Sequence, residues 1–262
     1  MVGLAENTQQ QSLSDNELER FSRQLIVPGF DFEGQEALKR ASVMIVGCGG
    51  LGAPAALYLA AAGIGELVLV DDDIVELSNL PRQIAYSEAD IGSLKVHALA
   101  DRLQTMNADI TIVQRPCRLD SGNAEGLVDN IDLVVDATDN RDTRLLIDQW
   151  TARRGLPWFM GAAVQLTGQN LAFSPARDEG CYHCLSPEDS GPGGTCSELG
   201  ILGPVVGAVA LSQVLDVLAY LTGFRSPRWG VLRIRDFRYD EHIELALARR
   251  NGCPLCGGLS QD

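Results

Sequence analysis

Positive charge is scarce in this chain. Lys and Arg total 21 against 35 Asp and Glu, a formal charge of −14 over 262 residues. That balance argues against a nucleic-acid partner, whose phosphates would be repelled. Surface acidity serves solubility and does not name a positive partner. Histidine is scarcer still: His97, His183 and His242 stand beside no nucleophile, and neither a serine-protease-like nor an HExxH pattern occurs. Lone histidines of this kind read as surface or packing residues. The first twenty residues are polar (Glu6, Gln9, Asp15, Glu17), with no apolar core for a secretory signal. The one long apolar run, 201–221, is broken by Pro204, Gln213 and Asp216. A charge near mid-span is costly, so the run reads as a buried helix of a core or subunit interface. The expectation is a cytoplasmic chain that touches no membrane, with seven cysteines as reduced thiols or metal ligands rather than disulfides. No internal repeat is present, and the glutamine triplet is the one low-complexity segment.

What is present centres on residues 41–82. The apolar run Val43-Met44-Ile45-Val46 reads as a buried strand, followed by Gly47, Gly49, Gly50 and Gly52 and then the alanine-rich 53–62. Strand, glycine turn and helix in that order set backbone N–H groups and a helix N-terminus beside the turn, where both favour a phosphate. A second apolar run, 67–70, ends at Asp71, placed to hold ribose hydroxyls as in dinucleotide-binding folds. Glycines that only let a helix pack close to a strand are the bland alternative. The turn does not choose among nucleotides.

Residues 1–12 read as a disordered lead-in, and 13–262 as a single domain. Ser14 to Glu17 has capping-box spacing and opens a helix through Arg23, by default a solvated charge. Residues 35–40 give a second helical turn. The segment 72–83, with Asp73, Ser78, Asn79 and Arg82, is too polar for core, and Pro81 forbids a continuous helix. Apolar spacing gives a helix at 96–107, a strand at 110–113, a short helix at 125–130 and a buried strand at 131–137 that ends in Thr138-Asp139-Asn140. Asp71 and Asp139 thus lie at strand ends, where parallel sheets bind ligands. A helix at 144–154 and a strand at 158–160 follow, then antiparallel-style strands at 169–173 and 231–237. The fold class is α/β: a Rossmann-like, mostly parallel sheet flanked by helices, with antiparallel C-terminal strands.

Cys181-x-x-Cys184 and Cys253-x-x-Cys256 form two CxxC pairs beside glycines. One pair is ambiguous between redox chemistry and metal. Two favour one Zn²⁺ held by four thiolates, a closed structural site. Cys196 lies in a glycine-rich polar loop that suits covalent chemistry, with a bystander thiol as the even alternative.

Taken together, Arg23-Gln24, Gly47-x-Gly49-Gly50-x-Gly52, Asp71-x-Asp73, Ser78-Asn79-Leu80-x-Arg82-Gln83, Lys95, Asp136-x-x-Asp139-Asn140 and both CxxC pairs resemble the ThiF/MoeB/HesA family. These are relatives of ubiquitin-activating enzymes that adenylate small sulfur carriers, and the likeness runs from about Glu17 to Gly258. The resemblance implies ATP held by Gly47, Gly49, Gly50, Asp71, Ser78, Asn79, Arg82, Lys95, Asp139 and Asn140, with Arg82 and Lys95 stabilising charge and Asp139 positioning Mg²⁺. It implies that Arg23 reaches the ATP of the other subunit in a homodimer, and that the four paired cysteines hold Zn²⁺. The part from about 168 to 258 would carry the zinc site and the carrier-binding region. The implied partner is a ubiquitin-like sulfur carrier ending in Gly-Gly, of thiamine thiazole or molybdopterin biosynthesis. A persulfide donor would be a separate protein, since no rhodanese-like domain follows Asp262. Cys196 matches a family cysteine used by some members for covalent or sulfur transfer. Segment 29–38 looks like the molybdopterin side and the CxxC contexts like the thiazole side, so the pathway stays open. The rival readings are an NAD- or FAD-dependent oxidoreductase and a non-catalytic carrier-binding scaffold.

Overall fold

The computed structural model describes residues 13–127, 130–186 and 199–257. The proposed lead-in, Cys196 and Gly258 lie outside the described residues. Two helices open the chain, α1 (Asp15–Leu25) and α2 (Phe32–Arg40). The parallel part follows: β1 (Ser42–Val46), α3 (Gly52–Ala62), β2 (Glu66–Val70), α4 (Lys95–Met106), β3 (Thr111–Arg115), β4 (Leu133–Asp136), α5 (Arg141–Arg154) and β5 (Trp158–Val164). The chain ends with β6 (Thr167–Phe173), the short α6 (Tyr182–Leu185), α7 (Gly203–Thr222), β7 (Val231–Asp236) and β8 (Glu241–Ala246).

Among the described residues, eight strands form one sheet in the order β3-β2-β1-β4-β5-β6-β7-β8. The first five are parallel, and β6 to β8 add on antiparallel. The continuous apolar runs are explained by burial on both faces. Val43, Ile45, Leu67, Leu69, Leu133 and Val135 pack with α3, α4 and α7 on one face, and Met44, Val46, Val68, Val70 and Val134 pack with Ile147 and Trp150 of α5 on the other. The strand order reverses direction between β1 and β4, so a crevice opens at their carboxyl ends.

Helix α7 has the length and hydropathy of a membrane span, but half of it is buried against the sheet and α3. Its Asp216 is buried against Arg225 (2.7 Å) and Arg233, and Gln213 donates to the carbonyls of Asp136 and Phe159 at 2.7 Å each.

Several expectations are corrected. Helix α2 starts at Phe32, before residue 35, because Asp31 accepts the Gly34 N–H at 3.1 Å and caps it. Residues 125–127 are turn and bend rather than helix. There the Asp120 carboxylate takes the N–H groups of Gly122 and Asn123, and Asn123 takes that of Gly126, a local network that competes with helix. Helix α5 begins at Arg141, capped by Asn140, rather than at 144. Strand β8 is exposed throughout, and its mixed sequence carries no buried-strand pattern.

Candidate functional site

Gly47 follows β1 and takes φ +92°, closed to most side chains. A Cβ there would lie 2.8 Å from the Ala137 carbonyl oxygen, and one on Gly52 would sit 1.8 Å from that of Gly47. These two glycines bring β1, β4 and α3 together. Gly49 differs: a Cβ there would meet only Gln83, at 3.5 Å, so its backbone faces open cleft. Helix α3 begins at Gly52 with no side-chain cap. Ala53 and Ala55 already donate to the Gly49 and Leu51 carbonyls and Pro54 has no N–H, so a phosphate would be received chiefly by the glycine turn and the positive end of the helix.

The cleft has a volume of about 660 Å³. Gly47, Gly49, Gly50, Asp71, Asn79, Arg82, Lys95, Asp139 and Asn140 line it together, drawn from five separate stretches of chain. Asp71 accepts the Cys48 N–H at 2.6 Å and the Asp73 N–H at 2.8 Å, which fixes its carboxylate beside the turn. Burial pushes its carboxyl up from the ordinary value, against those hydrogen bonds and Lys95. Lys95 is buried and pairs with Asp73 at 2.8 Å. Arg82 donates to the Ser78 carbonyl at 2.8 Å. Asp139 is exposed in the cleft, while the Asn140 side chain accepts the Thr143 N–H at 2.8 Å.

Two predicted residues lie elsewhere. Ser78 is exposed outside the cleft lining, its hydroxyl donating to Glu76 at 3.4 Å. Arg23 stands exposed on the last turn of α1, away from the cleft of its own chain.

The cleft also contains residues that the sequence reading did not single out: Arg118, Thr138, Arg144 and Gln169. Arg144 pairs with the fully buried Asp136 at 3.1 Å and donates to the carbonyls of Thr138 and Gly161. Asp136 also accepts from the Thr138 hydroxyl (2.6 Å) and N–H (3.0 Å). Burial raises the Asp136 carboxyl, opposed by Arg144 and Thr138, and that network holds the loop carrying Asp139. Arg141 and Arg144 are indistinguishable by sequence; only the helix start at Arg141 turns one of them into the cleft.

Cys181, Cys184, Cys253 and Cys256 converge at the end of the chain, all four Sγ atoms within 4.8 Å of one another. The separations are 3.8 Å for Cys181–Cys184, and 3.4 Å for both Cys181–Cys253 and Cys184–Cys256. A tetrahedral ion with metal–sulfur bonds of about 2.3 Å needs edges of about 3.8 Å, so the donor set fits one thiolate-bound metal. Burial pushes the Cys181 thiol up and raises Cys256 to about 11; at Cys253 burial also raises the thiol, but hydrogen bonds from the backbone N–H groups of Cys256 and Leu255 and from the Cys181 and Cys184 thiols together lower it to about 6. Four clustered thiolates, three of them buried, would need a cation among them.

A parallel sheet with a glycine turn at its switch point, a charged cleft beside it and a four-thiol cluster at the edge define a nucleotide-binding α/β protein with a metal-fitting appendage. A model of the ThiF family matches residues 21–255, and the chain belongs to that family. It is 40% identical over 250 residues to the sulfur carrier protein ThiS adenylyltransferase of Escherichia coli (strain K12), covering 95% of this chain and 99% of that one. It is also 40% identical over 245 residues to the molybdopterin-synthase adenylyltransferase of Salmonella typhimurium (strain LT2), covering 94% and 98%. Among solved structures, PaaA is similar with a TM-score of 0.79 and 25% identity, covering 94% of this chain and 79% of that one. MccB of E. coli, with a TM-score of 0.80, 23% identity and coverage of 94% and 75%, shares the fold.

Proposed function

We propose that this protein is an adenylyltransferase. It activates the C-terminal glycine of a small ubiquitin-like sulfur carrier ending in Gly-Gly, ThiS- or MoaD-like, for sulfur transfer in thiamine thiazole or molybdopterin biosynthesis. The single observation that carries this reading is the convergence of Lys95, Arg82, Asn79 and Asp139 on one cleft with the Gly47–Gly50 turn and Asp71. A dinucleotide oxidoreductase would need the turn and Asp71 but gives the other four no task.

A carboxylate oxygen of the carrier attacks the α-phosphorus of ATP. The bond to the bridging oxygen breaks, and pyrophosphate leaves with that electron pair. The product is the carrier acyl-adenylate. The attacking carboxylate is already ionised at neutral pH, so no general base is required, and the cleft lining holds no histidine. Catalysis rests on positioning and on charge stabilisation. The turn and the start of α3 receive phosphates, Asp71 the ribose, and Arg82 and Lys95 the growing charge, with Asn79 alongside. Asp139 would hold Mg²⁺, which supplies neutralisation of phosphate oxygens when bound. Ala162, Ala163 and Val164 of β5 also line the cleft, and the carrier tail is assigned to that side.

The four-cysteine cluster is assigned to a structural Zn²⁺. The protein is assigned to homodimers in which Arg23 serves the neighbouring cleft, with a separate persulfide donor supplying sulfur. Adenylation is expected to survive Cys196→Ser. The test is ATP–pyrophosphate exchange with each Gly-Gly carrier of the same organism. Exchange with one carrier, lost on deleting its final glycine or on Asp139→Ala, supports the reading and names the pathway. No exchange with any carrier from folded, metal-loaded protein overturns it.

A further inference from the structure

A buried polar cluster that the adenylation chemistry does not use lies midway along α5. Asp148 is fully buried there. One of its carboxylate oxygens accepts from Arg177 Nε at 3.3 Å, and the other accepts from His183 Nδ1 at 3.0 Å and from the His183 backbone N–H at 3.3 Å. A carboxylate offers no proton to the ring, so His183 carries its hydrogen on Nδ1, and Nε2 accepts from the Gln149 amide at 3.2 Å.

His183 sits between Cys181 and Cys184 in the first CxxC pair. Its side chain bonds to α5 while one ring nitrogen and the Asp148 carboxylate stay within 4.8 Å of Cys181 Sγ, so it bridges the thiol cluster and the helix. A second tie joins the same two elements. Arg141, the first residue of α5, donates from Nε to the Ser186 hydroxyl at 2.9 Å and from a terminal nitrogen to the Ser186 carbonyl at 3.0 Å. The metal-fitting loop therefore grips α5 at its first turn and at its middle. That first turn directly follows Asn140, the cap, and Asp139 in the cleft.

Neutralising the buried Asp148 charge would need only Arg177. The histidine and the Arg141–Ser186 pair add connections whose geometric effect is to fix α5 against the cysteines. A helix of 14 residues held at two points keeps its N-terminus in place. We propose that the four-cysteine cluster sets the position of α5, and hence of Asp139, through His183 to Asp148 and Ser186 to Arg141. His183 is a positioning residue, and loss of the metal is felt in the nucleotide cleft. The consequence for Mg²⁺ rests on the role given to Asp139 above; the mechanical link does not.

The experiment is amide hydrogen exchange of the 138–145 segment in the full, metal-loaded chain. Wild type is compared with His183→Ala, His183→Asn and Arg141→Gln, with metal content measured for each. His183→Ala is expected to keep its metal and to exchange about 2- to 30-fold faster in this segment, the range that coupling residues produce. The Mg²⁺ concentration for half-maximal pyrophosphate exchange should rise by a similar factor. An asparagine amide can still donate to Asp148, so His183→Asn should restore both quantities. Arg141→Gln, outside the cysteine loop, should act in the same direction as the alanine variant. Unchanged protection in the metal-loaded His183→Ala and Arg141→Gln variants overturns the proposal. Faster hydrogen exchange in these variants, from a wild type that shows no pyrophosphate exchange, supports the link and sinks the adenylation reading instead.

Discussion

The ammonium of Lys95 lies 2.8 Å from a carboxylate oxygen of Asp73, and both residues line the cleft. The lysine side chain is 7% exposed and the aspartate 68%, so an accessible acid holds a buried cation at the point where phosphate charge would arrive. An incoming phosphate competes with Asp73 for the same ammonium. Removing an exposed partner of this kind is worth up to about 1 kcal/mol. Asp73→Asn is therefore expected to lower the KM for ATP about two- to fivefold at low salt. Lys95→Ala should cost pyrophosphate exchange about 10²- to 10³-fold, as loss of one charge-stabilising donor does. A raised KM in Asp73→Asn would mean that the acid serves the nucleotide rather than competes with it.

Gly52 gives the sharpest prediction from backbone packing. A Cβ there would lie 1.8 Å from the Gly47 carbonyl oxygen, a backbone atom that no rotamer change can move aside. Gly52→Ala must therefore displace α3 from β1, at a cost of about 1–3 kcal/mol or more. The urea midpoint should fall and nucleotide affinity should fall with it. Gly92→Ser is the control, since a side chain there meets nothing within 4 Å although its φ of +89° adds local strain. It should leave nucleotide affinity unchanged.

How far these residues could be read in advance depends on how local their causes are. The β1–turn–α3 unit was legible because its apolar run, glycines and alanines act within about twenty consecutive positions. Asp139 was legible because β4 is continuously apolar and delivers its end to the switch point. Arg144 was not, because its partner Asp136 selects it only after α5 has started at Arg141. His183 reads as a lone packing histidine, since its partner Asp148 stands 35 positions away on another element. The short helix expected at 125–130 is turn and bend over 125–127 for the opposite reason: just before it, Asp120 and Asn123 offer the backbone local bonds that compete with helix.

Metal removal tests the cysteine cluster directly. Cys181, Cys253 and Cys256 are buried, and the cluster ties the C-terminal segment to α6. Stripping a bound ion leaves thiols that cannot all ionise beside one another. A strong chelator is expected to release one ion per chain and to lower Tm by on the order of 10 °C, the shift that ~3 kcal/mol gives in a domain of this size. Cys253→Ser should lower metal content and Tm together. Full metal content with an unchanged Tm in that variant would remove Cys253 from the ligand set.

Arg23 makes the homodimer testable by mixing two inactive variants. Helix α1 is fixed on both sides of this residue. Phe21 packs against Gly63 so closely that a Cβ there would come within 2.5 Å, and Gln24 donates to the Ala62 carbonyl at 3.1 Å. The arginine between them is exposed and lies outside the cleft of its own chain. If it completes the neighbouring cleft, Arg23→Ala disables the partner's site and Asp139→Ala disables its own. A mixed dimer then has one site with both defects and one with neither. Co-refolding equal amounts gives half mixed dimers, each with one of two sites intact, so exchange should recover to about a quarter of the wild-type rate. Recovery to that level requires the arginine to act across the interface. An arginine acting within its own chain would leave every site in the mixture defective, and the mixture would stay as inactive as its parts.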